Sequence, residues 1–165
     1  MAVDKSFTGF IKHDDYMTPL SAWQDIQPYI PKDKTIWECF YGDGQSGKNL
    51  QSLGFNVIHE DIDFFTNDLG DILVSNLPFS MKKKVFTRLK ELDKPFIMIS
   101  QTNMISTKYF KELFKDNIQL IIPKKRIQFQ KQVNGVVPDK FINRCNFECF
   151  FYCYKMNLHK DIIFA

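Results

Sequence analysis

Two short segments hold residue types from which a reaction can be built. One is Gly42-Asp43-Gly44-Gln45-Ser46-Gly47, a literal G-x-G-x-x-G. Glycines let a chain turn sharply and let a ligand approach the backbone, and a helix starting behind them presents unpaired N–H groups. The other is Ser75-Asn76-Leu77-Pro78-Phe79-Ser80. Asn76 offers a carboxamide oxygen, Leu77 a backbone carbonyl and Phe79 an aromatic face. That set suits an aryl amine, whose lone pair is delocalised into its ring and poorly nucleophilic. Two acceptors holding both N–H hydrogens favour a pyramidal nitrogen and offset the positive charge that builds as it attacks a methyl group. The ring can stack on a base taken out of its duplex or loop. Alone, Asn76 reads more readily as the cap of the helix that follows.

The glycine segment admits several readings. A dinucleotide site expects an acidic residue about 20 positions on to hold a ribose, and Asp61 stands nineteen residues after Gly42. A P-loop is nearly spelled by Gly42 through Asn49, but Asn49 lacks the hydroxyl that ligates magnesium. S-adenosylmethionine sites use the same strand, glycine turn and acidic ribose clamp. A glycine-rich turn with no ligand fits as well.

The elements around these segments alternate strand and helix. Thr18 as N-cap and Pro19 as first helical residue predict a helix through Leu20, Trp23 and Ile26, ended by Pro28 and Pro31. Strands are predicted at KTIWECF, FNVIHED, DILVSN, PFIMIS and IQLIIP, the apolar runs among them suiting a sheet covered on both faces. Helices are predicted at KNLQSL, KKKVFTRLKELD and TKYFKELFK. RIQFQ and CNFECFFYCYKM read as long strands joined by a polar loop, Gln130 to Arg144 being the longest irregular stretch. This predicts one α/β domain over 1–165, mostly parallel, with an antiparallel C-terminal hairpin at its edge.

Composition fits a globular chain: 44% apolar and 25% charged residues, with a net charge of +3 that permits a nucleic-acid partner without demanding one. No apolar run reaches the ~18 residues of a membrane span, and MAVDKSFTGFIKHDD has no signal-peptide apolar region. A soluble, intracellular protein without a membrane partner is expected. Cys145, Cys149 and Cys153, four apart, fall on one face of a strand; they and Cys39 are expected as buried small hydrophobes, with no metal.

Taken in order, the motifs resemble those of nucleic-acid amino-group methyltransferases, especially the small adenine-N6 enzymes of phages and large DNA viruses. The residues that carry the resemblance are Asp15-Tyr16-Met17-Thr18-Pro19, Trp37-Glu38-Cys39-Phe40-Tyr41-Gly42-Asp43-Gly44, Val57-Ile58-His59-Glu60-Asp61-Ile62, Asp63-Phe64-Phe65 and Asn76-Leu77-Pro78-Phe79. Pro123-Lys124-Lys125-Arg126-Ile127 and Phe151-Tyr152-Cys153-Tyr154 are similar to that family's tail. The resemblance implies a Rossmann-like methyltransferase fold, S-adenosylmethionine as cofactor, and adenine N6 as acceptor, in DNA ahead of RNA. It also implies residue roles. Glu38 and the Gly42–Asp43–Gly44 turn, with Phe40 beside them, meet the methionine moiety; Tyr16, Thr18 and Pro19 line that side, within an N-terminal segment (1–34) packing on the cofactor site. Asp61 and Ile62 take the ribose, Asp63 and Phe64 the adenine, and Asn76, Leu77, Pro78 and Phe79 the target base. Lys82, Lys83, Lys84, Lys124, Lys125 and Arg126 edge the mouth of the site as phosphate contacts. With no separate target-recognition domain in view, the chain is expected to read its target through loops, foremost Gln130–Arg144, to work with a second copy (a homo-oligomer) or a partner subunit, or to have relaxed specificity. Two positions depart from the pattern: Leu77 and Cys39 each stand where proline is usual. Leucine keeps the carbonyl but not the fixed φ of proline, so a non-catalytic, methyltransferase-like binding subunit is the alternative. A nicotinamide oxidoreductase accounts neither for Thr18-Pro19 nor for Asn76-x-Pro-Phe.

Overall fold

The computed structural model describes residues 16–131 and 147–165; of Tyr16, Gln130 and Lys131 it describes the backbone alone. In chain order the elements are β1 (Tyr16–Met17), α1 (Leu20–Ile26), β2 (Thr35–Trp37), α2 (Gln45–Ser52), β3 (Asn56–Ile58), β4 (Ile72–Asn76), α3 (Lys82–Leu92), β5 (Phe96–Gln101), α4 (Lys108–Phe114), β6 (Ile118–Ile122), β7 (Gln130–Lys131), β8 (Cys149–Tyr154) and β9 (Ile162–Phe164). Seven strands form one sheet in the order β3-β2-β4-β5-β8-β6-β9. The pairs β2–β3, β2–β4, β4–β5 and β6–β9 are parallel, while β8 runs antiparallel to both β5 and β6. This is a Rossmann-like α/β sheet, with the strand order reversing at β2: the chain leaves it for β3 on one side and returns to β4 on the other.

Strand alternation sorts the core into two chemically different halves. Ile36, Ile72, Val74, Ile97, Ile99, Ile121, Phe151 and Cys153 meet Trp23 and Ile26 of α1 and Leu50 of α2. Their strand neighbours Trp37, Leu73, Phe96, Met98, Leu120, Tyr152 and Tyr154 meet Val85, Phe86 and Leu89 of α3 and Phe110 and Phe114 of α4. The first half is largely aliphatic. The second is an aromatic lattice, in which the Phe86 ring lies 5.0 Å from Phe110, 5.8 Å from Phe114 and 6.3 Å from both Phe96 and Tyr152. Covered on both faces, the central strands read as unbroken apolar runs, as expected. Cys149 and Cys153 lie buried on the aliphatic side and Cys39 on the aromatic one; Cys145 lies outside the described residues.

Several local expectations change. The antiparallel C-terminal pair is β6 with β8, and β8 sits inside the sheet, where its six residues pair with β5 as well. RIQFQ is irregular up to Gln130, which begins β7 and pairs with β1 in a separate two-stranded ladder. DIIFA, too short to show a period, adds the edge strand β9, with Ile163 buried between the exposed Ile162 and Phe164. Helix α1 begins at Leu20 with Pro19 in the cap position and no side-chain cap, so Thr18 does not cap it. Nor does Asn76 cap α3, because a 3-10 turn at Phe79–Met81 separates the two.

Phe86 is fully buried at the centre of the aromatic lattice, whereas Phe164 is 78% exposed. Phe86→Ala is expected to cost about 3–5 kcal/mol in urea unfolding through lost transfer energy and an unfilled cavity. Phe164→Ala is expected to stay within about 0.5 kcal/mol of the parent.

Candidate active site

In open α/β sheets, ligands bind beyond the carboxyl ends of the strands, where the strand order reverses. Here that point lies between β2 and β4, and the residues just past their ends line one pocket: Glu38, Phe40, Tyr41, Gly42 and Asp43 after β2, and Asn76, Leu77, Pro78 and Phe79 at and after β4. Met17 and Thr18 close it from the N-terminal side and Ser46 from the start of α2.

The glycine turn has the conformation its composition suggests. Gly42 and Gly44 have φ of 60° and 84°, in the left-handed region that side chains disfavour. The Gly44 N–H donates to the Tyr41 carbonyl at 2.8 Å, and Gly44 then opens α2. Asp43 steadies the same turn by accepting the Gln45 N–H at 2.9 Å. Gly47 serves a different purpose: a Cβ there would stand 2.3 Å from the Cβ of His59, so the helix can approach the end of β3 only through a glycine. His59 in turn stacks under Tyr41, their centroids 6.4 Å apart and their planes 6° from parallel.

Glu38 is a carboxylate with 2% of its surface exposed. Its Oε1 accepts the Phe40 N–H at 2.9 Å and the Ser75 hydroxyl at 2.5 Å. Burial pushes its pKa up to about 8, against the two hydrogen bonds and with a small added push from Asp43. The neighbouring Cys39 thiol is raised well above its usual value, first by burial and then by the charge of Glu38. Thr18, 6% exposed, brings a hydroxyl that has no hydrogen-bond partner among the described residues. A buried carboxylate, an unsatisfied hydroxyl and a left-handed glycine turn fit the ammonium and carboxylate of an amino-acid moiety.

The second segment is firmly held. Leu77 is 1% exposed, and its N–H donates to the Ile99 carbonyl at 3.1 Å, carrying the β4–β5 ladder one residue past the strand. A proline could not make that bond; leucine gains from the sheet the fixity that proline has from its ring. Pro78, at φ −62°, leads into the 3-10 turn that carries Phe79. The Phe79 ring meets Phe147 edge-on at 4.7 Å, and Phe147 stacks on Phe129 at 5.7 Å.

The remaining expected residues lie elsewhere. Asp61 is exposed beyond β3, Ile62 is half-buried, and neither lines the pocket. Asp63 spends its carboxylate on its own turn, accepting the Phe65 N–H at 3.1 Å and the Thr66 hydroxyl at 2.8 Å. The Phe64 ring is fully buried against Phe40 (4.9 Å) and Trp37 (5.8 Å), so its side chain offers no face to a ligand. Pro19 is half-buried beside Thr18, and Tyr16 pairs with Lys131 through β1. The two basic groups occupy different grooves. Lys82, Lys83 and Lys84 share one with Phe65 and Arg88; there Lys82 donates to Gln101 at 2.7 Å and Lys84 lies 4.3 Å over the Phe65 ring. Lys124, Lys125 and Arg126 line another with α1, where the Lys124 N–H donates to Asp25 at 3.0 Å. Most of the Gln130–Arg144 loop lies outside the described residues. Ser75, Tyr41, Ser46 and Met17 stand inside the sequence motifs without an assigned role, and Phe147 stands outside them; for Ser75, a lone hydroxyl in the apolar run ILVSN is the available signal.

No protein-family model and no curated protein matches the sequence. Among solved structures the chain is similar to precorrin-6y C5,15-methyltransferase from Geobacter metallireducens GS-15, with 11% identity, a TM-score of 0.47, and coverage of 88% of this chain and 98% of that one. It is similar to a protein described as a class I S-adenosylmethionine-dependent methyltransferase from Listeria monocytogenes, with 13% identity, a TM-score of 0.49, and coverage of 94% and 67%. It is also similar to tRNA (m1A58) methyltransferase from Aquifex aeolicus, with 17% identity, a TM-score of 0.39, and coverage of 89% and 73%. Likenesses this distant assign neither cofactor nor substrate to this chain.

The buried carboxylate makes stability depend on pH. In the unfolded chain Glu38 loses its proton near its ordinary value of 4.5, while in the folded protein it keeps it to about 8. Its contribution is therefore fully present below 4.5 and is lost as pH rises through 8. Urea unfolding between pH 5 and 8 is expected to show stability falling with pH, and Glu38→Gln, which cannot ionise, to flatten that slope.

Proposed function

We propose that this chain is an S-adenosylmethionine-dependent methyltransferase acting on the exocyclic amine of a nucleic-acid base, adenine N6 in DNA, through one domain spanning residues 1–165. The observation that carries the reading is the convergence on one pocket of Thr18, Glu38, the Gly42–Asp43 turn and Asn76–Phe79, from separate stretches of sequence, at the reversal of strand order. In this reading Glu38 takes the ammonium of the cofactor's methionine moiety. The Gly42–Gly44 backbone, Phe40, Thr18 and Pro19 enclose that moiety, while Asp61 and Ile62 hold the ribose. The Asn76 carboxamide oxygen and the Leu77 carbonyl accept the two hydrogens of the target amine and orient its lone pair, and Phe79 stacks on the base. S-adenosylmethionine supplies a methyl group on a positively charged sulfur, so the residues need not generate a strong base. Lys82–Lys84 and Lys124–Arg126 bind phosphates on separate faces, with a second copy or a partner subunit completing target recognition.

One observation favours a second reading, a non-catalytic binding subunit. Asp61 to Phe64 do not join the pocket, so the half expected to hold adenosine is not assembled. Against it stands the seating of Leu77, whose backbone bond to Ile99 makes good the missing proline.

The two separate by transfer of a labelled methyl group from S-adenosylmethionine to adenine-containing DNA, followed by nucleoside analysis. Label in N6-methyladenine, falling about 10²–10³-fold in Asn76→Ala as for loss of one charge-stabilising contact, is the expected result. Folded protein that binds the cofactor yet leaves DNA, RNA and free nucleosides unlabelled would sink the catalytic reading.

A further inference from the structure

Ser75 belongs to β4 and Glu38 follows β2, thirty-seven positions away in the chain, yet the hydroxyl of one donates to the carboxylate of the other at 2.5 Å. Ser75 has no exposed surface and Glu38 almost none. Both hydrogen bonds recorded for the carboxylate, from Ser75 and from the Phe40 N–H, fall on Oε1. Among the described residues Oε2 receives none, and Glu38 lines the pocket. Two donors on one oxygen fix the rotation of the carboxyl plane and leave the other oxygen for a ligand.

We propose that Ser75 is a positioning residue for this site: its hydroxyl aims Glu38 and eases its ionisation, so that the carboxylate is in place to take up charge as the ligand's ammonium arrives. The proposal rests on the reading of Glu38 as the counter-charge of an amino-acid moiety. Its physical basis is that a hydroxyl donating to a carboxylate stabilises the charged form, whereas burial opposes it. Among the described residues, the titratable groups acting on Glu38 are few. Asp43, across the glycine turn, opposes ionisation, and Cys39, on its own segment, stays a neutral thiol. The Glu38 N–H is spent on the Ile58 carbonyl of β3 at 3.0 Å, and the described residues of β3 and β4 bring no cation against the carboxyl group to replace Ser75. Ser75 also immediately precedes Asn76. One strand therefore supplies the hydroxyl that sets the cofactor-side charge and, as its next residue, the amide assigned to the target amine.

The test is carboxyl-carbon NMR titration of Glu38 in the ligand-free protein labelled at glutamate, with Glu38→Gln to assign the signal. Removing the donor in Ser75→Ala is expected to raise the titration midpoint by about 1–2 pH units, the size of one hydrogen bond to a charged group. Ser75→Thr, which keeps the hydroxyl, is expected to restore it. Should the alanine variant fail to fold, Ser75→Cys is nearly isosteric with a far weaker donor and is expected to shift in the same direction. A midpoint within a few tenths of a unit of the parent in the folded alanine or cysteine variant overturns the proposal. S-adenosylmethionine titration at pH 7 and pH 9 gives the second readout: binding by Ser75→Ala is expected to weaken at least tenfold at pH 7 and to recover toward the parent at pH 9. A shifted Glu38 midpoint in a protein whose parent form does not bind the cofactor at all would uphold the Ser75 assignment and overturn the methyltransferase reading, so the two fail separately.

Discussion

Placing a carboxylate inside a protein is costly unless something compensates its charge, and the site is arranged around that constraint at Glu38. The side chain leaves the sheet where the strand order reverses, between a glycine turn on one side and the end of β4 on the other. Serine and backbone donors satisfy one of its oxygens, and its pKa near 8 records that compensation is incomplete. The missing partner is a cation. Among the described residues no lysine or arginine lines the pocket, and in the proposed reading the positive charge arrives with the ligand. The nearby Thr18 hydroxyl, buried and without a partner among the described residues, asks for a ligand in the same way.

Packing supports this arrangement from both faces. Trp23, Ile26 and Leu50 hold one side of the sheet, and Phe86, Phe110 and Phe114 the other. The two halves also discipline the loops. Gly47 lets α2 settle on His59, which aligns Tyr41 along the glycine turn, and the β4–β5 ladder runs on through Leu77. A substitution that looks like a loss in the sequence, leucine for proline, is thus absorbed by a backbone hydrogen bond that proline lacks the hydrogen to make.

Much of the sheet was legible because its period and its burial agree. DILVSN, PFIMIS and IQLIIP are short, apolar and flanked by helices, so each announces a strand covered on both faces. The glycine turn was legible because positive φ demands glycine at Gly42 and Gly44. What stayed hidden depends on tertiary pairing. Nothing local in CNFECFFYCYKM says that it inserts between β5 and β6, and a three-residue strand such as β9 has no period to detect. Within the site, the motif order located Glu38 and Asn76 to Phe79, but not the hydroxyl between them, because Ser75 meets Glu38 only once β2 and β4 lie side by side. The same limit applies to Phe64: an Asp-Phe pair looks the same whether its ring faces a ligand or, as here, fills the space between Phe40 and Trp37.

The most direct test of the account is calorimetric titration of the purified chain with S-adenosylmethionine, S-adenosylhomocysteine and NAD, at pH 7 in two buffers of different ionisation enthalpy. The account predicts that the first two bind and NAD does not. It also predicts that binding releases close to one proton, as Glu38 ionises to meet the incoming ammonium, and that Glu38→Gln abolishes this release. Folded protein that binds neither sulfur compound, or binds them with no proton released, would contradict it.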